Sequence, residues 1–276
     1  MAAVRANDVE AGVRALGLAG RPVCLHSSLR SFGAVEGGAD AIVDGFLAVG
    51  CTLIVPSFSW RYAVLPIDGL APERNAWDYG APRKLDGEPA VFATSSTEID
   101  ARMGAIPAAV VRRAGRMRGD HPLCSFTAVG PSAEAAVGGQ SWSDVYAPLG
   151  WLSENDGALV LAGVSLTSVT FIHYAEELAG RTLFRRWALD RDGEVVMVPV
   201  GSCSDGFEQL RPSVASLEMT TNVGESEWRC YPAGAALDAL VSAIRDNPEL
   251  TRCDKPECVR CRDSIAGGPL LRRRDR

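Results

Sequence analysis

The stretch VCLHSSLRSFGAVEGGADAIVDGFLAVGCTLIVP, residues 23–56, decides the fold. It opens on a short apolar run, Val23-Cys24-Leu25, that reads as a buried strand. The chain then passes through His26-Ser27-Ser28 and Leu29-Arg30-Ser31-Phe32-Gly33 to the pair Gly37-Gly38. Apolar positions recur at helical spacing from about Ala39 to Val49, and Thr52 to Pro56 reads as a second buried strand. Strand, polar Gly-rich loop, helix and strand in that order indicate an α/β layer structure whose sheet is at least partly parallel.

Working outward, residues 8–18 carry apolar side chains at near-helical spacing, with Asn7 or Asp8 available as an N-cap. From about Arg61 to Asp100 the periodicity loosens into a long irregular excursion, and excursions of that length are commonly functional or mobile. Regularity returns with a helix over 106–113, a strand over 125–129, a buried strand over 159–164 and a helix over 168–178. Asp190-Arg191-Asp192-Gly193 between two β-rich runs predicts a hairpin over 187–200. Residues 226–231 alternate as a strand does, and 235–244 reads as an amphipathic helix. The expected architecture is α/β: a layered α/β/α domain around a central mixed, partly parallel sheet, spanning residues 1–250, with a Cys-rich C-terminal tail over 251–276 packed on it.

Bulk properties narrow the function. Of the 276 residues, 47% are hydrophobic and 22% charged, the balance of a folded soluble enzyme. The longest apolar stretch, Ala158 to Leu166, is too short to span a bilayer, and the first residues mix acids and bases where a secretory signal needs an apolar segment. The expectation is a cytoplasmic protein with no membrane partner. A formal net charge of -6 argues against nucleic acid as a partner and suits a cationic small molecule. The basic run Arg272-Arg273-Arg274 reads as a solvated tail. A homodimer is left open.

The chain has three histidines. His26 stands at the end of the first predicted strand, where open α/β sheets place their ligand crevice. The loop after it can direct backbone N–H groups, the Ser27, Ser28 and Ser31 hydroxyls and Arg30 at an anion, or be a hydrogen-bonded turn without a ligand. His121, in Gly119-Asp120-His121-Pro122, fits a capping role at a strand entry better than a catalytic one. His173 lies in Thr170-Phe171-Ile172-His173-Tyr174-Ala175-Glu176. Its i,i+3 spacing from Glu176 puts both side chains on one helix face, as a general base held by a carboxylate requires and as a core histidine with a carboxylate partner would also show.

Eight cysteines in a reducing compartment argue against a disulfide framework. Cys24, Cys51 and Cys124 lie in or beside apolar strands and read as small core residues. Cys253-x4-Cys258-x2-Cys261 instead resembles one side of a tetrahedral thiolate zinc site. The preferred fourth ligand is Cys203, in the tight turn Gly201-Ser202-Cys203-Ser204-Asp205-Gly206, ahead of Cys230. Such a closed structural zinc would staple the tail to the body, the alternative being free thiols.

The same segments resemble the aminoglycoside 3-N-acetyltransferase family, acetyl-CoA enzymes whose fold differs from the larger GNAT superfamily. The resemblance runs through His26-Ser27-Ser28-Leu29-Arg30-Ser31-Phe32-Gly33, Thr52-Leu53-Ile54-Val55-Pro56-Ser57-Phe58, Met103-Gly104-Ala105-Ile106-Pro107, His121-Pro122, Pro148-Leu149-Gly150 and His173-Tyr174-Ala175-Glu176. It covers roughly residues 20–180 and continues more weakly to about 240. The resemblance implies that coenzyme A is contacted by His26, Ser27, Ser28, Leu29, Arg30, Ser31 and Phe32 and by the stretch from Ser95 and Ser96 to Met103 and Gly104. It implies His173 as catalytic base, oriented by Glu176, for direct acetyl transfer to the 3-amine of a 2-deoxystreptamine aminoglycoside, an antibiotic-resistance activity. Asp144, Glu225 and Glu227 are candidates to neutralise a polycationic acceptor. Another biosynthetic amine, or a non-catalytic coenzyme-binding role, remain alternatives. A zinc hydrolase is disfavoured because no HExxH is present and the metal-like spacing is all cysteine.

Overall fold

Val23 and Leu25 pack on one face of their strand and Cys24 on the other, and that alternation sorts the whole core into two halves. The computed structural model describes residues 2–67, 69–81 and 88–271. Arg272, Arg273 and Arg274, read above as a solvated tail, lie outside the described residues.

The strands are β1 (Pro22–Ser27), β2 (Thr52–Pro56), β3 (Ala63–Val64), β4 (Met117–Arg118), β5 (Phe126–Val129), β6 (Ala158–Ala162), β7 (Phe184–Leu189), β8 (Val195–Val200), β9 (Met219–Val223) and β10 (Ser226–Pro232). Seven form one sheet in the order β4-β5-β2-β1-β6-β10-β9. β1 lies parallel to both β2 and β6, and the outer strands pair antiparallel. The three parallel strands at the centre are also the most apolar, as burial on both faces requires.

One face is covered by α1 (Ala6–Ala15), α2 (Gly38–Ala48) and α3 (Ala105–Arg112), whose Val9, Val13, Ile42, Phe46 and Val110 join Val23, Leu25, Leu53 and Val160. The other is covered by α4 (Ala133–Val137), α5 (Ala147–Glu154), α6 (Phe171–Leu178), α7 (Arg211–Val214) and α8 (Ala233–Asp246), packed on Cys24, Ile54, Leu159 and Leu161. This is the three-layer α/β/α arrangement expected from the sequence. On the second face lies a smaller sheet, β3-β7-β8, whose β7–β8 hairpin pairs Phe184 with Val200 through Leu189 with Val195. Its Phe184, Ala188, Val198 and Val200 enter the same core.

The chain leaves β1 for β2 by way of α2 on one face, while β6, on the other side of β1, is reached from the opposite face. The carboxyl end of β1 is therefore a topological switch point, where such sheets open a crevice. His26 and Ser27 end β1 there, and the segment after β6 runs through a 3-10 turn, Leu166–Ser168, into α6 with His173. The tail reaches the same region through α9 (Val259–Ile265). Asp263 accepts the Ala76 N–H at 2.8 Å, and the Thr182 N–H donates to the Gly267 carbonyl at 2.9 Å.

Candidate active site

His173 sits in the first turn of α6, nine-tenths buried, with its ring edge-on to Phe207 at 4.8 Å between centroids. Its Nδ1 lies 2.7 Å from Glu176 Oε2. A carboxylate can only accept, so Nδ1 carries the proton and Nε2 is the basic nitrogen of the neutral ring. Gly201, at the end of β8, passes over the imidazole so closely that a Cβ there would meet Cδ2 at 2.5 Å and Nε2 at 2.8 Å. The glycine is required by that approach.

Glu176 is buried, at 2% exposure, and four groups hold its carboxylate. Oε2 accepts from His173 and from Ser202 Oγ at 3.0 Å. Oε1 accepts from the Arg181 guanidinium and from Ser264 Oγ at 3.4 Å. Arg181 is itself held by Thr251 Oγ1 and the Pro248 carbonyl, both at 2.8 Å. A buried carboxylate needs such compensation, and the four donors, the Arg181 guanidinium among them, supply it.

A cavity of about 370 Å³ opens over His173, bordered by His26, Ser27, Met103, Tyr146, Ser168 and Ser202 among others. Burial drives the His26 imidazole down to about 4, against a hydrogen bond to the Ser168 backbone, so it stands neutral at the cavity wall. Ser27 Oγ is buried without a hydrogen-bond partner. A second cavity of about 520 Å³ adjoins the first and shares Trp60, Arg102, Gly201 and Arg260 with it; Trp77, Trp187 and Arg186 also line it.

The remaining expected coenzyme contacts divide by position. Ser31 Oγ is engaged by the Ser28 carbonyl and Ser226 Oγ, both at 2.7 Å, and the Ser28 N–H donates to the Ala162 carbonyl at 3.0 Å. Leu29 packs on the core, Phe32 is buried edge-on to Trp228, and Arg30 is exposed. Ser95 and Ser96 offer their carbonyls to Arg116, at 2.6 and 3.1 Å, and Ser96 Oγ bonds the Tyr62 hydroxyl at 2.6 Å. Neither serine borders the cavity, whereas Met103 does and Gly104 follows it as the N-cap of α3.

Of the expected acceptor-binding carboxylates, Asp144 is exposed in the turn before α5. Glu225 lies against Gly33 behind the 26–33 loop, and Glu227 pairs with Arg229 at 3.2 Å on β10. None of the three borders either cavity. His121 is a strand-entry cap: its Nδ1 accepts the Cys124 N–H at 2.9 Å and its Nε2 donates to the Pro199 carbonyl at 3.1 Å. Burial lowers it to about 3.

Cys203, Cys253, Cys258 and Cys261 bring their four sulfurs within 4.8 Å of one another, with Cys253 and Cys261 at 3.5 Å. The four are the set expected from spacing, and Cys230 instead lies in β10, in the core. Cys24, Cys51 and Cys124 are buried among apolar side chains, as expected.

Residues 24–245 match the family model of the aminoglycoside 3-N-acetyltransferases. The chain belongs to that family. It is similar to aminoglycoside N(3)-acetyltransferase IX of Micromonospora chalcea, at 33% identity over 58% of this chain and 57% of the relative. Aminoglycoside N(3)-acetyltransferase VIII of Streptomyces fradiae is 31% identical over 60% of this chain and 58% of the relative. The chain thus matches somewhat under three fifths of these curated relatives' length. In structure it is similar to the aminoglycoside acetyltransferase AAC(3)-IVa apoenzyme, with a TM-score of 0.75 at 21% identity over 97% of this chain and 98% of that one. AAC(3)-Xa gives a TM-score of 0.71 at 26% identity, covering 90% and 94%. AAC(3)-IVa has also been solved as a histidine-to-alanine variant in complex with a gentamicin, with a TM-score of 0.75 to this chain at 22% identity over 97% and 98%.

Within this family's α/β frame, sequence reading located His173, Glu176, His26 and the cysteines. It missed Arg181, Gly201 and Ser202 as partners of the dyad. Gly201 and Ser202 were visible as part of the Cys203 turn, where they served only the metal argument. Arg181 lies five residues from Glu176, past the end of α6, where helical spacing gives no signal, and its other partners at 248 and 251 are distant in sequence.

Proposed function

We propose that this protein is an acetyl-CoA-dependent N-acetyltransferase in which His173 removes a proton from the acceptor amine. The observation that carries the reading is the buried His173–Glu176 pair, which leaves Nε2 as the basic nitrogen at the wall of a cavity built on the switch point of the sheet. The amine nitrogen attacks the thioester carbonyl as Nε2 accepts its proton; the C–N bond forms, the C–S bond breaks, and the imidazolium returns the proton to the departing thiolate. No acyl-enzyme is needed.

The cavity suits the thioester end and the amine and not a whole coenzyme. His26, Ser27, Met103 and Gly104 are proposed to meet the pantetheine end, and Ser28, Leu29, Arg30, Ser31, Phe32, Ser95 and Ser96 to flank the rest of coenzyme A. Residues 1–250 would act as a single acetyltransferase domain, in the cytoplasm where acetyl-CoA is made. The four cysteines fit a structural zinc: a tetrahedron of Zn–S bonds of about 2.3 Å sets sulfurs about 3.8 Å apart, close to the Cys253–Cys261 spacing of 3.5 Å. No metal chemistry enters the acetyl transfer.

The relatives' names make an aminoglycoside amine the first acceptor to test, with antibiotic resistance as the consequence. Asp144, Glu225 and Glu227 would then attract the polycation from outside the cavities. One observation favours a second acceptor class. The described residues lining the two cavities include Arg102, Arg260, Trp60 and Trp187 and no carboxylate, a lining suited to an amine that also carries an aromatic or anionic group.

The test offers acetyl-CoA with 2-deoxystreptamine aminoglycosides in one set and with aromatic or carboxylate-bearing amines in another, and follows coenzyme thiol release against a blank without acceptor. Release with the first set supports the aminoglycoside reading, and release with the second alone moves the acceptor to the other class. Failure of acetyl-CoA to bind contradicts the proposal.

A further inference from the structure

Every group that fastens the outer side of Glu176 is tied to a cysteine of the four-sulfur cluster. Ser202, which donates to Oε2 at 3.0 Å, immediately precedes Cys203. Ser264, which donates to Oε1 at 3.4 Å, lies one helical turn beyond Cys261 on α9. Thr251, which holds Arg181 at 2.8 Å while Arg181 holds Oε1, stands two residues before Cys253. Arg260, next to Cys261, donates to the Ser202 carbonyl and so joins the Cys203 turn to the tail. Gly206 of that turn lies so close under the Arg252 carbonyl that a Cβ would collide with it, and Gln209 donates to the same carbonyl at 2.5 Å.

Two chain segments 50 residues apart therefore meet over the dyad, and the sulfurs lie where they meet. We propose that the four-cysteine cluster, through Ser202, Ser264 and the Thr251–Arg181 link, is the positioning device that aligns Glu176 with His173, and not only a staple for the tail. Ser202, Ser264 and Arg181 are positioning residues on this account.

The physical argument is a balance around one carboxylate. Glu176 accepts from two cationic or potentially cationic partners on opposite oxygens, and its rotamer decides which it serves better. The two serine hydroxyls fix that rotamer by bonding one oxygen each. If the cluster opens, the Cys203 turn and α9 separate, both hydroxyls withdraw together, and Arg181 draws the carboxylate away from Nδ1. The imidazole then exchanges between its two tautomers, and Nε2 is bare for only part of the time. The proposed coenzyme-side residues His26, Ser27 and Met103 belong to β1 and to the turn before α3, whereas Ser202 and Arg260 border the same cavity from the two segments that carry the sulfurs.

The inference rests on His173 being the base, and its test separates the two. The purified chain, Cys258→Ser, and the double variant Ser202→Ala with Ser264→Ala are compared by bound zinc, acetyl-CoA Kd, kcat and KM. They are also compared by 15N NMR of the histidine side chains at about pH 9, where imidazole is neutral; His173→Ala assigns the signal. The double variant retains every sulfur ligand and serves if Cys258→Ser fails to fold. Expected are a kcat lower by about tenfold or more in both, full zinc in the double variant, and a His173 signal moving from a single Nδ1–H tautomer to a mixture. A single unchanged tautomer in the double variant overturns the inference whether or not any acceptor is acetylated. An altered tautomer with no turnover by the parent chain leaves the positioning intact and counts against His173 as a base.

Discussion

The Nδ1 of His173 and Oε2 of Glu176, three residues apart on α6, lie 2.7 Å apart in a buried site, while the other oxygen of that carboxylate is bound by Arg181. The carboxylate thus serves the imidazole and a buried guanidinium at once. Glu176→Gln keeps the shape and removes the charge from both. Arg181 is left buried without a counter-ion, which costs about 3–5 kcal/mol. We expect Tm to fall by on the order of 10 °C and kcat to drop by about 10²-fold or more, measured by thermal melting and steady-state kinetics. An unchanged Tm would contradict the pairing.

Gly201→Ala places a methyl 2.5 Å from His173 Cδ2. The imidazole must tilt from Glu176 or the end of β8 must move, an overpacking cost of about 1–3 kcal/mol. The expected result is a kcat reduced by at least about tenfold with acetyl-CoA Kd little changed, read by calorimetry beside turnover. Full turnover would show that the ring does not work in the orientation described.

His26 and His121 fold as neutral imidazoles, lowered by burial to about 4 and about 3. The unfolded chain binds their protons near pH 6.5, before the folded chain does. Stability from these groups is therefore fully present above about pH 6.5 and is lost as pH falls toward the folded values, by roughly 1 kcal/mol per pH unit for each histidine. Urea unfolding at a series of pH values from neutral to about 5 should show this slope, and His121→Gln should lessen it. Burial raises the Glu177 carboxyl to about 7, which opposes this slope over the same range, so the His121→Gln comparison decides: an unchanged slope in that variant would contradict the buried neutral state.

The cysteine cluster predicts one zinc per chain by elemental analysis, released by a strong chelator with a fall in Tm. Cys203→Ser should weaken retention, because Cys203 is the sulfur of the four that the 201–206 turn contributes. Metal-free protein with an unchanged melting curve would remove zinc from the account.

Much of this was legible in the sequence, and for identifiable reasons. The apolar runs at 23–25, 52–56 and 159–164 mark β1, β2 and β6 because strands buried on both faces need no alternation. His173 and Glu176 were legible because a helix fixes i,i+3 neighbours on one face. β4 and β9 escaped because the first is two residues long and the second, Met-Thr-Thr-Asn-Val, is a mostly exposed edge strand with little apolar signal. α9 was hidden by reading Cys258 and Cys261 for metal alone. The hold of Ser202 and Ser264 on Glu176 was not legible, since contacts across 26 and 88 residues leave no periodicity behind, and Arg181 lies five residues from Glu176, beyond the end of α6 and off the i,i+3 and i,i+4 spacings that a helix marks.

The most direct test is a single comparison of the chain with His173→Ala under saturating acetyl-CoA and a gentamicin-type aminoglycoside, with the acetylated product detected by mass spectrometry and acetyl-CoA Kd measured for both. The account predicts one acetyl group added to the acceptor by the parent chain, loss of at least about 10²-fold in rate for the variant, and equal coenzyme affinity. Equal rates for the two proteins would contradict the assignment of His173 as the base.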